Sequence, residues 1–249
     1  MGKSNFLLII ILFFVFIIVG ISILLYKQKN NIFFDSYIQK PKRKLYSQNN
    51  EELIIRHFFN DRRNGIFVDV GCSHYKNLST TFYLEQYLDW SGIGVDALSE
   101  FAEGYHKNRP RTKFFNFIVT DHSGTTEPIY RLVVDPGRSS QDKKSMLRVA
   151  RKRKIKEQYE VIYVPTITLN ELLEKNGISN IDFLSIDIEG NEVAALAGFD
   201  IEKFRPQLVC IEVNAPWKIM DYFIRHKYKL IIKYLLYDHI NWYFTPRRR

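Results

Sequence analysis

Five short apolar runs, Ile66–Val70, Ile93–Val95, Phe114–Val119, Ile181–Ile186 and Leu208–Val213, constrain this chain more than any other feature. Each is bounded by polar or turn residues, and helix-length segments separate them. That spacing predicts βαβ units and a parallel sheet. "YKLIIKYLLYDHINWYFTP" then breaks the rhythm with two further strands, roughly Tyr228–Tyr234 and Asn241–Thr245, close enough to pair as a hairpin. The helices between have readable ends. Ser79 can cap one through about Asp89, with Tyr83/Tyr87 and Leu84/Leu88 as its packing stripe. Thr168 and Glu171 form a capping box, and Asn176-Gly177 ends that helix. "GNEVAALAGF" reads as a short helix after the fourth strand. Residues 121–164 carry the least pattern and are expected as a long substrate-facing insertion.

The amino-terminal stretch is different in kind. Phe6 to Tyr26 is uncharged and followed by Lys27 and Lys29. At about 1.5 Å per residue it is long enough to cross a bilayer. It is too long for a signal peptide's apolar core and has no small-x-small cleavage site. Residues 1–30 are therefore expected to be a transmembrane anchor, 31–50 a basic tether and 51–249 a folded domain. The basic excess after the helix predicts a single-pass protein with its carboxy-terminal domain in the cytoplasm. Two cysteines, Cys72 and Cys210, suit a reducing compartment. Net charge is +9, but residues 1–50 hold seven Lys/Arg and one acid, so most of the excess sits where anionic lipid would meet it. No nucleic-acid partner is expected. "RVARKRKIKE" adds six cations between Arg148 and Lys156, either a solvated face or a second membrane contact.

In an open parallel sheet, ligands bind beyond the carboxyl ends of the strands. Those ends here carry Asp69 and Gly71, then Asp96, Asp121, Asp187 with Glu189, and Glu212. One acid per strand at one edge predicts a shared cleft. Asp96 stands where nucleotide folds place the carboxylate that accepts a ribose diol. Gly71 would let backbone approach the ligand. Ser79, Thr80 and Thr81 offer donors at a helix start, and Asp121 could accept from an adenine amino group. The loop Gly71-Cys72-Ser73-His74-Tyr75-Lys76 lacks the glycines a dinucleotide pyrophosphate needs, so S-adenosylmethionine is the expected cofactor rather than NAD. The histidines show no spacing with Cys or acids that suggests a metal. Trp90, Trp217 and Trp242 read as core residues.

These residues resemble the FkbM family of methyltransferases. The likeness runs through Val68-Asp69-Val70-Gly71-Cys72-Ser73-His74-Tyr75 with Ser79-Thr80-Thr81, "DWSGIGVDA", "VPTITLNELL", "IDFLSIDIEGNE" and "RPQLVCIEVN". Tyr75 stands in place of the motif's proline and Thr80 in place of its asparagine. The resemblance implies an α/β, Rossmann-like class I methyltransferase fold, mostly parallel with a carboxy-terminal antiparallel hairpin, here preceded by one transmembrane helix. It also implies S-adenosylmethionine as donor, usually for O-methylation of a sugar, glycan or small metabolite. Asp69, Gly71 and Asp96 then look like cofactor contacts, and Asp187 and Glu189 line the reaction edge. Asp187 is the first choice for a base, Glu189 the second and His74 a third, although each could instead position substrate or shape its loop. The other reading is a membrane-anchored interaction protein that keeps the fold without turnover.

Overall fold

The computed structural model describes residue 19 and residues 44–247. The expected anchor, apart from residue 19, lies outside the described residues. Among the described residues no helix is long and apolar enough to cross a membrane. The strands are β1 (Ile66–Val70), β2 (Ser91–Asp96), β3 (Thr112–Asn116), β4 (Ile118–Thr120), β5 (Thr126–Leu132), β6 (Tyr159–Thr168), β7 (Phe183–Ile186), β8 (Leu208–Glu212), β9 (Tyr228–Leu230) and β10 (Asn241–Pro246). The helices are α1 (Glu51–Phe59), α2 (Phe82–Leu88), α3 (Ala102–Asn108), α4 (Lys143–Lys152), α5 (Leu169–Lys175), α6 (Glu192–Ala197), α7 (Ile201–Phe204) and α8 (Pro216–Arg225).

Seven strands form one sheet in the order β3-β2-β1-β7-β8-β10-β9. The first five run parallel, and β10 is antiparallel to both β8 and β9. This is the expected α/β methyltransferase-like sheet. Parallel strands covered on both faces read as continuous apolar runs. Val68, Val70, Ile93, Val95, Leu184, Ile186, Val209 and Ile211 accordingly meet in one core cluster. Helix α5 closes one side of that core. Thr168 Oγ1 accepts from Glu171 N at 3.2 Å, one half of the expected capping box, while Ser123 Oγ rather than Glu171 accepts from Thr168 N; Leu169, Leu172 and Leu173 are all buried. Each such side chain contributes about 1.5–3 kcal/mol on burial.

Four expectations need correction. The run Phe114–Val119 is not one strand. Phe117 N and Asn116 Nδ2 both donate to Asp96 O, so the chain leaves β2 there, and Ile118–Thr120 pairs with β6 in a separate three-stranded sheet. Residues 121–164 are built rather than irregular. Strands β5 and β6 pair from Thr126↔Pro165 to Leu132↔Tyr159, with α4 between them burying Met146 and Ala150 against Leu132. The expected strand Tyr228–Tyr234 stops at Leu230, because Ile232–Leu236 winds into a 3-10 turn. Trp90 is buried, but Trp217 is 86% exposed.

Residues 44–50 contact the domain. The Tyr46 ring packs 4.5 Å from that of Phe82, Tyr46 N donates to Glu52 Oε2 at 3.0 Å, and Ser47 bridges to Leu78.

Candidate functional site

Strands β1, β2 and β3 step outward in one direction, and β7 returns to the opposite side of β1. The crevice between β1 and β7 is the switch point at which open α/β sheets bind ligands. Gly71 leaves β1 with φ +82°, and Asp187 N donates back to Val70 O at 2.9 Å. A Cβ on Gly71 would lie 1.7 Å from the Asp187 carbonyl oxygen. The close passage of two loops therefore itself requires the glycine, which also lines the cleft. Gly71, Ser73, Asp96, Asp187 and Glu189 all line the resulting cleft, with Leu98, Ile118 and Ile129 as apolar walls.

Asp96 is held from both sides. Its Oδ2 accepts from Ser73 N at 2.9 Å and its Oδ1 from Leu98 N at 2.8 Å. Each carboxylate oxygen has a second lone pair, so two acceptor positions remain. Burial pushes its pKa up to about 6 despite these two bonds.

Asp187 and Glu189 belong to a group of acids. Asp187 presents surface to the cleft. Desolvation by the surrounding protein, followed by the nearby Glu212, Glu189 and Glu192 carboxyls, pushes its pKa well above the ordinary carboxylate range. Glu189 is half-buried with φ +53°, and desolvation followed by Glu212 raises it to about 7. Arg138 opposes that rise through an ion pair from Nη1 to Glu189 Oε1 at 3.1 Å. Glu192 is buried and shapes the turn, since its Oε1 accepts from Ile188 N and Gly190 N.

The segment Pro136–Gln141 lies across the cleft. Ser140 Oγ donates to the Glu189 carbonyl at 2.7 Å, and Asn191 Nδ2 donates to Gln141 Oε1 at 2.7 Å. A Cβ on Gly137 would sit 3.2 Å from Ser73 Oγ. With this strap in place the cleft holds about 60 Å³ of free space, well below the several hundred typical of a ligand site.

Several expected site residues lie elsewhere. Asp69 is buried and accepts from Thr81 Oγ1 at 2.8 Å; burial lifts its pKa to about 6. Arg109, also buried, donates to Thr81 Oγ1 at 3.2 Å, to Ser79 Oγ at 3.4 Å and to Tyr75 O at 2.9 Å, and pairs with Glu85. The hydroxyls of Ser79 and Thr81 are thus committed to the interior that supports the loop. Ser79 Oγ also accepts from Phe82 N at 3.1 Å, the capping bond expected of it, although regular helix begins only at Phe82. His74 Nδ1 accepts from Lys76 N and Asn77 N at 3.0 Å, forming a turn, and the residue does not line the cleft. Asp121 follows β4, which has left the main sheet; its exposed carboxylate bonds His122. Tyr75 packs against Gly104, away from the cleft. Among the described residues no group of His, Cys and acids could hold a metal.

The family described as Methyltransferase FkbM domain matches residues 64–237. No curated protein matches. Similar solved structures include methyltransferase FkbM from Methylobacillus flagellatus KT, with TM-score 0.45 and 10% identity over 88% of this chain; the match takes in 59% of that chain's length. A precorrin-6y C5,15-methyltransferase from Geobacter metallireducens GS-15 has TM-score 0.42 and 8% identity, covering 84% of this chain and 93% of its own. A TehB-like SAM-dependent methyltransferase from Corynebacterium glutamicum has TM-score 0.41 and 11% identity, covering 92% of this chain and 100% of its own.

Proposed function

The chain belongs to the FkbM methyltransferase family, and on that premise we propose that it is a membrane-anchored, S-adenosylmethionine-dependent O-methyltransferase acting on a hydroxyl of a sugar, glycan or small metabolite. One observation carries the reading: Gly71, Asp96, Asp187 and Glu189 arrive from three strand ends at a single cleft. The residues suit the cofactor. Asp96 keeps two acceptor positions for a ribose diol, and Leu98, Ile118 and Ile129 offer apolar surface to a flat base. The absence of a second and third glycine after Gly71 matches a ligand without a pyrophosphate.

S-adenosylmethionine, held by Asp96 and the apolar walls, would supply an electrophilic methyl group to the acceptor. The chain's own work is to orient the acceptor and take its proton. Asp187 and Glu189 stand at the cleft to receive it. Glu189, raised to about 7, lies near the pKa at which a base works best in neutral solution.

The membrane assignment rests on Phe6–Tyr26 and the cations that follow it. They favour an anchor with the carboxy-terminal domain in the cytoplasm. The basic flank would meet anionic lipid.

The reading is tested by titrating S-adenosylmethionine into the full chain in detergent, by calorimetry. Micromolar-range binding is expected, weakened at least about tenfold in Asp96→Ala through loss of charge-assisted hydrogen bonds. No binding, or binding untouched by that substitution, replaces catalysis with a non-enzymatic use of the fold.

A further inference from the structure

A second cavity, of about 340 Å³, opens on the other side of the strap and is lined by Arg138, Lys152, Arg153, Glu189, Glu212 and Asn214. Glu189 belongs to both hollows. The strap separates them by alternation: Ser139 faces the first, while Arg138 and Ser140 face the second. A molecule seated in the second cavity therefore reaches the acid cluster from the side opposite the cofactor cleft.

Helix α4 supplies the outer wall. Asp142 caps it by accepting from Lys144 N at 2.9 Å, and Met146 and Ala150 anchor it inward. Ser145, Val149 and Lys152 then fall on one face at helical spacing and line the cavity, with Arg153 just beyond. The cationic run Arg148–Lys156 is thus divided. Arg148 is exposed outside the cavity and Arg151 pairs with Glu157, whereas Lys152 and Arg153 turn to the hollow. Among the described residues, neither Lys152 nor Arg153 has a carboxylate partner within ion-pair distance. Arg138 is already engaged by Glu189 and Asp135.

Two exposed cations that no carboxylate engages at ion-pair distance line one cavity, beside Glu189, raised to about 7, and Glu212, raised by burial, and a dianion matches their charge. A phosphate monoester has that charge and the oxygens to satisfy both side chains, whereas a carboxylate has one charge to give. Val149 and Ile240 provide apolar surface for a carbon skeleton. We propose that this cavity is the acceptor site and that it selects a hydroxyl-bearing phosphate ester, gripped by Lys152 and Arg153 while its hydroxyl meets Glu189. The proposal rests on the methyl-transfer reading for its purpose, but its ligand chemistry can be measured separately.

The experiment is calorimetry on the full chain in detergent with inositol monophosphate, plain inositol and short-chain phosphatidylinositol phosphate. At least one phosphate ester should bind while inositol does not. Lys152→Ala/Arg153→Ala should weaken that binding at least about tenfold, and Arg148→Ala/Lys156→Ala should leave it within about twofold. Preference for the soluble or the lipid ester identifies the source of the phosphate; either preference with the stated variant pattern supports the site. Failure of both esters, equal binding of inositol, or equal losses in the two double variants overturns the proposal. S-adenosylmethionine binding, measured alongside, should be unchanged in both variants. Its absence from the unmutated chain would sink the methyl-transfer reading without deciding the phosphate result.

Discussion

Arg138 Nη1 lies 3.1 Å from Glu189 Oε1, and this contact ties the strap over the cleft to the acid turn that follows β7. The guanidinium lowers the Glu189 pKa against burial and Glu212, which raise it to about 7. Replacing Arg138 by alanine should therefore move the alkaline rise of kcat to higher pH. A pH–rate profile reads the shift directly, and a midpoint unmoved or moved toward acid would contradict Glu189 as base.

The strap must also yield for a cofactor to enter. In the variant Ser73→Cys/Gly137→Cys, the new thiols should bridge on oxidation, since a Cβ on Gly137 falls 3.2 Å from the present Ser73 Oγ. Cys72 is buried with its thiol pushed well above the ordinary range and should stay out of the exchange. Oxidised protein is expected to bind S-adenosylmethionine at least about thirtyfold more weakly than the same protein after reduction. Equal affinities would mean that the cleft admits the cofactor with the strap closed.

Arg109 and Glu85 form a buried pair that supports the loop after β1. Truncating Arg109 leaves the Glu85 charge without its partner, and the cost is expected to be about 3–5 kcal/mol. Urea denaturation should reveal it, and the double variant Arg109→Ala/Glu85→Ala should recover part of the loss. A cost below about 1 kcal/mol would show that the pair is dispensable.

Protonation of the acid cluster also sets a stability profile. The folded protein holds the Glu189 proton to about pH 7, while the unfolded chain releases it near the ordinary 4.5. Between those values the folded state binds more protons, so this group destabilises the fold as pH rises through that window. Glu189→Gln should remove about 1–3 kcal/mol of that decline. Thermal melts at pH 5 and pH 8 (roughly the two ends of the window) should show the variant's Tm falling less than the parent's. An equal or steeper fall would refute it.

The parts of this molecule visible in its sequence share a physical cause. Parallel strands buried on both faces print as apolar runs, so β1, β2, β7 and β8 could be read directly, and Asp96, Asp187 and Glu189 follow from where those runs stop. The misreadings arise where a tertiary contact overrides local pattern. Phe114–Val119 is apolar throughout except at Asn116, and nothing local signals that Asp96 O draws Phe117 away; Asp121 moves off the site as a result. Ser79 and Thr81 look like ligand donors until Arg109, roughly thirty residues on, is seen to occupy them. Arg109 itself sits in "HKNRPRTK", where a buried arginine cannot be told from a solvated one. The strap was hidden for a similar reason: β5 and β6 pair across a long intervening stretch, and only that pairing lays Ser139 over the cleft.

The contacts of Tyr46 and Ser47 bear on how this protein can be shortened. Cutting at Glu51 would uncover Phe82 and strip Glu52, which is completely buried, of the Tyr46 amide and the Ser47 hydroxyl that cap it. It would also detach Leu78 from its bridge, next to the serine that Arg109 holds. Any shortened chain should begin no later than Lys44, because the leading residues brace the loop that follows β1.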